Sequence, residues 1–189
     1  MKDENKSKQV WERFQESFIK HIKECKTDAK KRLADGPDRK YFLGDLFLKM
    51  QNDLALGYNK IYPNEKESEF LKVDYTFFKH REKQWAVPII GIESENNWET
   101  IEKECLKLCS LNAPLKILIL YELNDERVNC LEKEENDWDY ILKDFSNEYN
   151  LVGYFVVMVY TLDGDQIKFH TYVYDESAKQ IKKEILTIE

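Results

Sequence analysis

Two nearly uniform apolar runs, residues 85–92 and 115–120, stand on either side of a charged amphipathic stretch at 100–111. Runs this short and this apolar suit strands buried on both faces, whereas the stretch between them carries Ile101, Cys105 and Leu108 at helical spacing. Strand, helix and strand in that order form a crossover, which places the two strands parallel in one sheet. The expectation is an α/β fold, a mixed central sheet with helices on both faces.

The rest of the chain fits round that unit. Residues 7–34 repeat Val10, Trp11, Phe14, Phe18, Ile22 and Cys25 at helical spacing, which predicts a long N-terminal amphipathic helix stopped by Asp35-Gly36-Pro37. A second helix is expected over 41–56, with Phe42, Leu46, Met50 and Leu54 on one face and Gly57 as its cap. A polar loop at 59–69 leads into an aromatic strand at 70–78, which pairs as a hairpin with 85–92 across the tip 79–84. Further on come a helix at 134–149, a strand at 151–162, a turn at Asp163-Gly164-Asp165, an antiparallel strand at 166–174 and a closing amphipathic helix at 176–186. With no repeat or linker, residues 1–189 are expected to form a single domain: an N-terminal helix (1–36), a core (37–125), and a helix, β-hairpin and C-terminal helix (126–189).

Composition narrows the function. Of 189 residues 42% are hydrophobic, enough for a real core, and no apolar run nears the ~20 residues of a spanning helix. Residues 1–10 hold no apolar stretch for a secretory signal, so a soluble cytoplasmic protein without membrane contact is expected. The 29 Lys+Arg against 36 Asp+Glu leave a formal charge of −7, so a polyanion partner needs a local basic face. Basic clusters at 20–32 and at Arg39-Lys40 offer one, or else form a solvated helix face. Six scattered glycines argue against a phosphate-cradling loop, and His21, His80 and His170 have no patterned nucleophile beside them. Cys25, Cys105, Cys109 and Cys130 are expected as reduced thiols. The His21/Cys25 and Cys105/Cys109 pairs have the spacing to pinch zinc, or, for the second pair, to pack as small apolar residues.

Three carboxylates stand out by position. Asp74 interrupts an aromatic strand, and Glu93 and Glu95 close the apolar run that follows it. Two residues apart on a strand, Glu93 and Glu95 project from one face, and a hairpin brings Asp74 alongside. Like charges so opposed cost stability unless compensated, and hard oxygen donors suit Mg²⁺ or Mn²⁺. The alternative is three solvated charges at strand ends.

With Asp74 in VDYTFF, Glu93 and Glu95 in PIIGIESEN, the helix ETIEKECLKLC and the strand APLKILILYE, residues 41–122 resemble the PD-(D/E)XK nuclease superfamily. The resemblance implies a restriction-endonuclease-like core behind the long N-terminal helix, with Asp74 and Glu93 as metal ligands. The motif lysine is replaced by Glu95, which would then serve as general base or second metal ligand. A migrated lysine is the other solution, but Lys103 and Lys107 lie off the Ile101, Cys105 and Leu108 face. The family's acid on the preceding helix falls on Asp45 rather than Asp53. The implied function is a Mg²⁺-dependent (or Mn²⁺-dependent) nuclease cleaving phosphodiesters in nucleic acid, DNA before RNA, with Asp74, Glu93, Glu95 and Asp45 as its site. The alternative is a catalytically inactive relative that binds another protein or a second copy of itself. Carboxylate oxygens of Asp74, Glu93 and Glu95 converging on one point favour the first, and divergent carboxylates with a lysine or arginine salt-bridged into the site favour the second.

Overall fold

The computed structural model describes residues 2–60, 73–80, 86–95, 97–122, 128 and 137–188. In chain order they form α1 (Lys2–Glu24), α2 (Lys26–Ala34), α3 (Gly36–Leu54), β1 (Gly57–Lys60), β2 (Tyr75–His80), β3 (Ala86–Glu95), a 3-10 turn (Trp98–Thr100), α4 (Ile101–Cys109), β4 (Leu115–Tyr121), α5 (Asp137–Glu148), β5 (Tyr154–Asp163), β6 (Gln166–Tyr174) and β7 (Gln180–Ile188).

The seven strands make one mixed sheet ordered β1 to β7, each strand beside its neighbour in sequence. The β3/β4 and β4/β5 pairs are parallel, as the crossover pattern requires, and the other four pairs are antiparallel. Helices cover both faces. On one, Phe14 and Phe18 of α1 and Leu46, Phe47 and Met50 of α3 pack on Tyr75, Phe77, Ile117, Ile119, Met158 and Phe169. On the other, Ile101, Cys105 and Leu108 of α4 and Trp138 and Leu142 of α5 pack on Leu118, Leu120, Val157, Val159 and Tyr172. Because β4 sends alternate side chains into two cores, its sequence reads as a continuous apolar run. Each fully buried aromatic here contributes about 1.5–3 kcal/mol, and the Phe14, Phe18 and Phe77 rings reinforce one another at 5.7 Å and 6.5 Å.

Several expectations are corrected. The long first helix is two, broken at Cys25, whose backbone (φ −124°, ψ 27°) lies outside the helical region. Asp35-Gly36-Pro37 ends one helix and also begins the next: Asp35 caps the Asp38 N–H and Pro37 sits in the first turn. The C-terminal cap of α3 is Ala55 in the left-handed region (φ 54°), which leaves Gly57 to open β1. The expected C-terminal helix at 176–186 is instead the edge strand β7. Ile181 and Ile185 have helical spacing but are both exposed, while Leu186 and Ile188 turn inward with strand alternation. A turn held by the Asp175 carboxylate, which accepts the Ser177 and Lys179 N–H groups, folds the chain back on β6. Pairing with a long, already formed strand outweighs an amphipathic pattern only about three turns long. Most of the loop expected at 59–69, the start of the 70–78 strand and the tip at 81–84 lie outside the described residues.

Candidate active site

Tyr75 of β2 pairs with Ile92 of β3, which brings Asp74, one residue before β2, beside Glu93. The Asp74 carboxylate accepts the Ser94 N–H at 3.1 Å, so the hairpin's own backbone holds it in place. Lys40 of α3 approaches the same carboxylate at 3.3 Å, and the Tyr75 hydroxyl donates to the Lys40 carbonyl at 2.7 Å, fixing this helix against the strand.

Glu93 belongs to the opposite face from its neighbours Ile90 and Ile92, and points toward α4 with its side chain 3% exposed. The Lys107 ammonium donates to its Oε1 at 2.8 Å and also to Glu104, three residues earlier on α4. This close approach of helix to strand needs Gly91. A Cβ there would stand 2.2 Å from the Leu111 side chain just beyond α4. The helical pattern of α4 misses Lys107 because position 107 lies at the margin of the Ile101, Cys105 and Leu108 stripe, from where a long side chain reaches under the helix. Lys103 stays outside and exposed.

The electrostatics follow from burial. Desolvation, then the neighbouring Asp74, push the Glu93 carboxyl up to about 9, against the pull of Lys107. For Lys107 burial acts to lower its pKa, but the hydrogen bonds from Glu104 and Glu93 outweigh it and hold the ammonium above the ordinary lysine range. The two directions are reconciled at neutral pH by a proton on each partner. Lys107 then donates to a neutral Glu93 carboxyl and finds its opposite charge in Glu104. Lys40 and Lys107 thus stand against Asp74, Glu93 and Glu104, and burial favours the neutral form of Glu93, so the hairpin tolerates its opposed acids.

The other expected site residues stand further off. Glu95 shares the Glu93 face but is half-buried, and its Oε1 accepts the Asn97 N–H at 2.9 Å. Asn97 in turn accepts the Glu99 N–H and caps the entry to α4. The Asp45 carboxylate lies 3.5 Å from Arg32 of α2, and it is Lys40, more than a turn earlier on α3, that reaches Asp74. Asp53 accepts from Ser17, Lys20 and His21. Sequence reasoning placed Lys40 only in the Arg39-Lys40 basic cluster and did not name Glu104. Lys40 carries no sequence signal for this role because its place depends on how α3 docks. Glu104 had one, three residues from Lys107 along a helix.

Among the described residues no group of three or more His, Cys, Asp and Glu side chains is placed to hold a metal ion. Cys105 and Cys109 are packed in the core under α4, and the Cys25 thiol donates to the His21 carbonyl. Neither zinc pair forms a site, and Cys130 lies outside the described residues. A two-carboxylate set remains. Mg²⁺ is commonly bound through one or two carboxylates plus waters and substrate phosphates, but here Asp74 is already met by Lys40 and Glu93 by Lys107. No helix among the described residues is long and apolar enough to cross a membrane. No protein-family model, no curated protein and no solved structure matches the chain.

Proposed function

We propose that this protein is a metal-dependent phosphodiesterase of the PD-(D/E)XK type acting on nucleic acid, DNA before RNA. One observation carries the reading: adjacent strands of one hairpin bring Asp74 and Glu93 together, and the crossover helix sets Lys107 against Glu93. The order of α3, β1 to β3, α4 and β4 supports a restriction-endonuclease-like core, with the first three strands antiparallel and the fourth parallel. Lys107 takes the part of the lysine that the sequence lacks at position 95.

Asp74 and Glu93 are the residues to hold Mg²⁺ or Mn²⁺, which when bound polarises a phosphoryl oxygen and lowers the pKa of a coordinated water. Asp74 is already fixed by the Ser94 N–H and by Lys40. Glu93 would join Asp74 on the ion only as a carboxylate, its proton passing to solvent. Lys107, already donating to that carboxyl, would then supply positive charge beside it. Glu95 serves as base only by releasing the Asn97 N–H.

One observation favours a second reading. Both acids are already met by lysines, Lys40 and Lys107, an arrangement that also suits an inactive relative acting as a protein-interaction module. Incubation with mixed DNA and RNA under Mn²⁺, beside Asp74→Ala and Glu93→Ala, tests the choice. Cleavage lost in both variants supports the enzyme. No cleavage, together with no change in melting temperature at millimolar Mg²⁺ or Mn²⁺, supports the module.

A further inference from the structure

We propose that β7 is a self-complementary edge through which two copies of this chain join their sheets into one. Among the described residues nothing pairs with the outer side of β7, the last strand of the sheet. A bulge at Ile181, where Gln180 and Lys182 pair with successive residues of β6, leaves residues 182–188 as the regular stretch, and Ile181 and Ile185 are 44% and 54% exposed. Seven residues of regular open edge are a template for another strand.

Its occupant follows from the order of its side chains. Two copies of one strand pair antiparallel about a two-fold axis perpendicular to the sheet, which keeps each face continuous and lets a residue meet only partners at an even separation. Centred on Lys183, the pairing sets Lys182 opposite Glu184 of the partner subunit, Ile181 opposite Ile185 of the partner subunit, and the same pairs again by symmetry. Every such register opposes its central residue to itself, but centring on Ile181, Lys182, Glu184 or Ile185 sets no opposite charges across the axis. Only the register centred on Lys183 does, and it also brings Ile181 and Ile185 of the two copies together.

The strand is prepared for that register. Lys182 and Glu184 already lie on one face, 2.9 Å apart, and Gln15 of α1 donates to Glu184 at 2.8 Å, which orients the carboxylate. Joining two copies extends this pair into a ladder of alternating charge on the α1 side. On the other side Ile181 and Ile185 of each copy close over one another beyond the cover of α5. The cost is Lys183 meeting Lys183 of the partner subunit on the axis. Its ammonium, 6.0 Å from the Tyr172 ring, is drawn back along β6 and away from that axis.

The test is sedimentation velocity of the full chain from micromolar to submillimolar concentration, with far-ultraviolet circular dichroism as a control on folding. The wild type is expected to dimerise in that range. Lys182→Glu and Glu184→Lys each place like charges opposite one another twice and weaken the dimer by at least about tenfold. The double variant, Lys182→Glu with Glu184→Lys, restores it, and Lys183→Thr tightens it. A chain monomeric throughout, a dimer indifferent to the single changes, or a double variant that does not recover overturns the proposal. Where a single variant loses its fold, the double variant decides alone.

Discussion

Replacing Glu93 with glutamine should make the protein more stable at neutral pH and leave it unchanged in acid. The Glu93 carboxyl is pushed up to about 9 in the folded chain from an ordinary 4.5, by burial first and Asp74 second. The folded state therefore holds this proton more tightly than the unfolded chain does. Its contribution to stability is whole below about pH 4.5 and shrinks as pH rises toward about 9. At pH 7 the interval crossed is 7 − 4.5, which at 1.36 kcal/mol per pH step comes to about 3 kcal/mol of stability lost relative to acid. Glutamine keeps the shape and accepts from Lys107 as the neutral carboxyl does, but has no proton to lose. Glu93→Gln should thus gain about 2–3 kcal/mol at pH 7 and nothing measurable at pH 4.5. Urea unfolding followed by the fluorescence of Trp11 and Trp138, both buried, reports it at several pH values. A variant less stable than wild type at pH 8 would refute the reasoning, because Glu93 would then be an anion held by Lys107 and charge pairing, not burial, would govern the site.

Millimolar Mn²⁺ should raise the melting temperature more at pH 8 than at pH 6, since Glu93 must release its proton, and Asp74→Ala should abolish the shift in differential scanning fluorimetry. Gly91→Ala should cost about 1–3 kcal/mol in urea unfolding, because its new Cβ meets the tip of the buried Leu111 side chain, which must repack in a filled core. Lys116, fully buried in β4 with its ammonium donating to the Ala113 and Val152 carbonyls, is lowered by burial to about 8 from 10.5. The unfolded chain binds that proton more tightly, so stability should rise by up to about 3 kcal/mol from pH 8 to pH 10.5, and Lys116→Met should flatten the rise.

What the sequence shows plainly is whatever burial writes as a period. The two-sided burial of β3 and β4 made the crossover legible, and the opposed hairpin registers of β2 with β3 and β5 with β6 followed from alternation and the Asp-Gly turn. Asp74 and Glu93 could be read because charge inside an apolar run is costly and so conspicuous. β7 could not, since an edge strand buries only half of one face and its Ile181 and Ile185 spacing fits a helix equally well. Lys40 was hidden for a different reason: its contact with Asp74 depends on the angle at which α3 crosses the sheet, a quantity no local pattern encodes. Lys107 lay between these cases, visible as a lysine on the right helix and misjudged by one step round the wheel.

The strict sequence order of the strands has a consequence for assembly. Each strand finds its partner immediately upstream, so the sheet can be laid down in one direction, by helical crossovers at β3/β4 and β4/β5 and by short turns at β5/β6 and β6/β7. Asp74, Glu93 and Lys107 all precede β5, and the hairpin and crossover that join them need only the first four strands. During synthesis the site can thus exist before β5 to β7 have emerged, and each newly added strand in turn serves as the growing edge until the next one covers it.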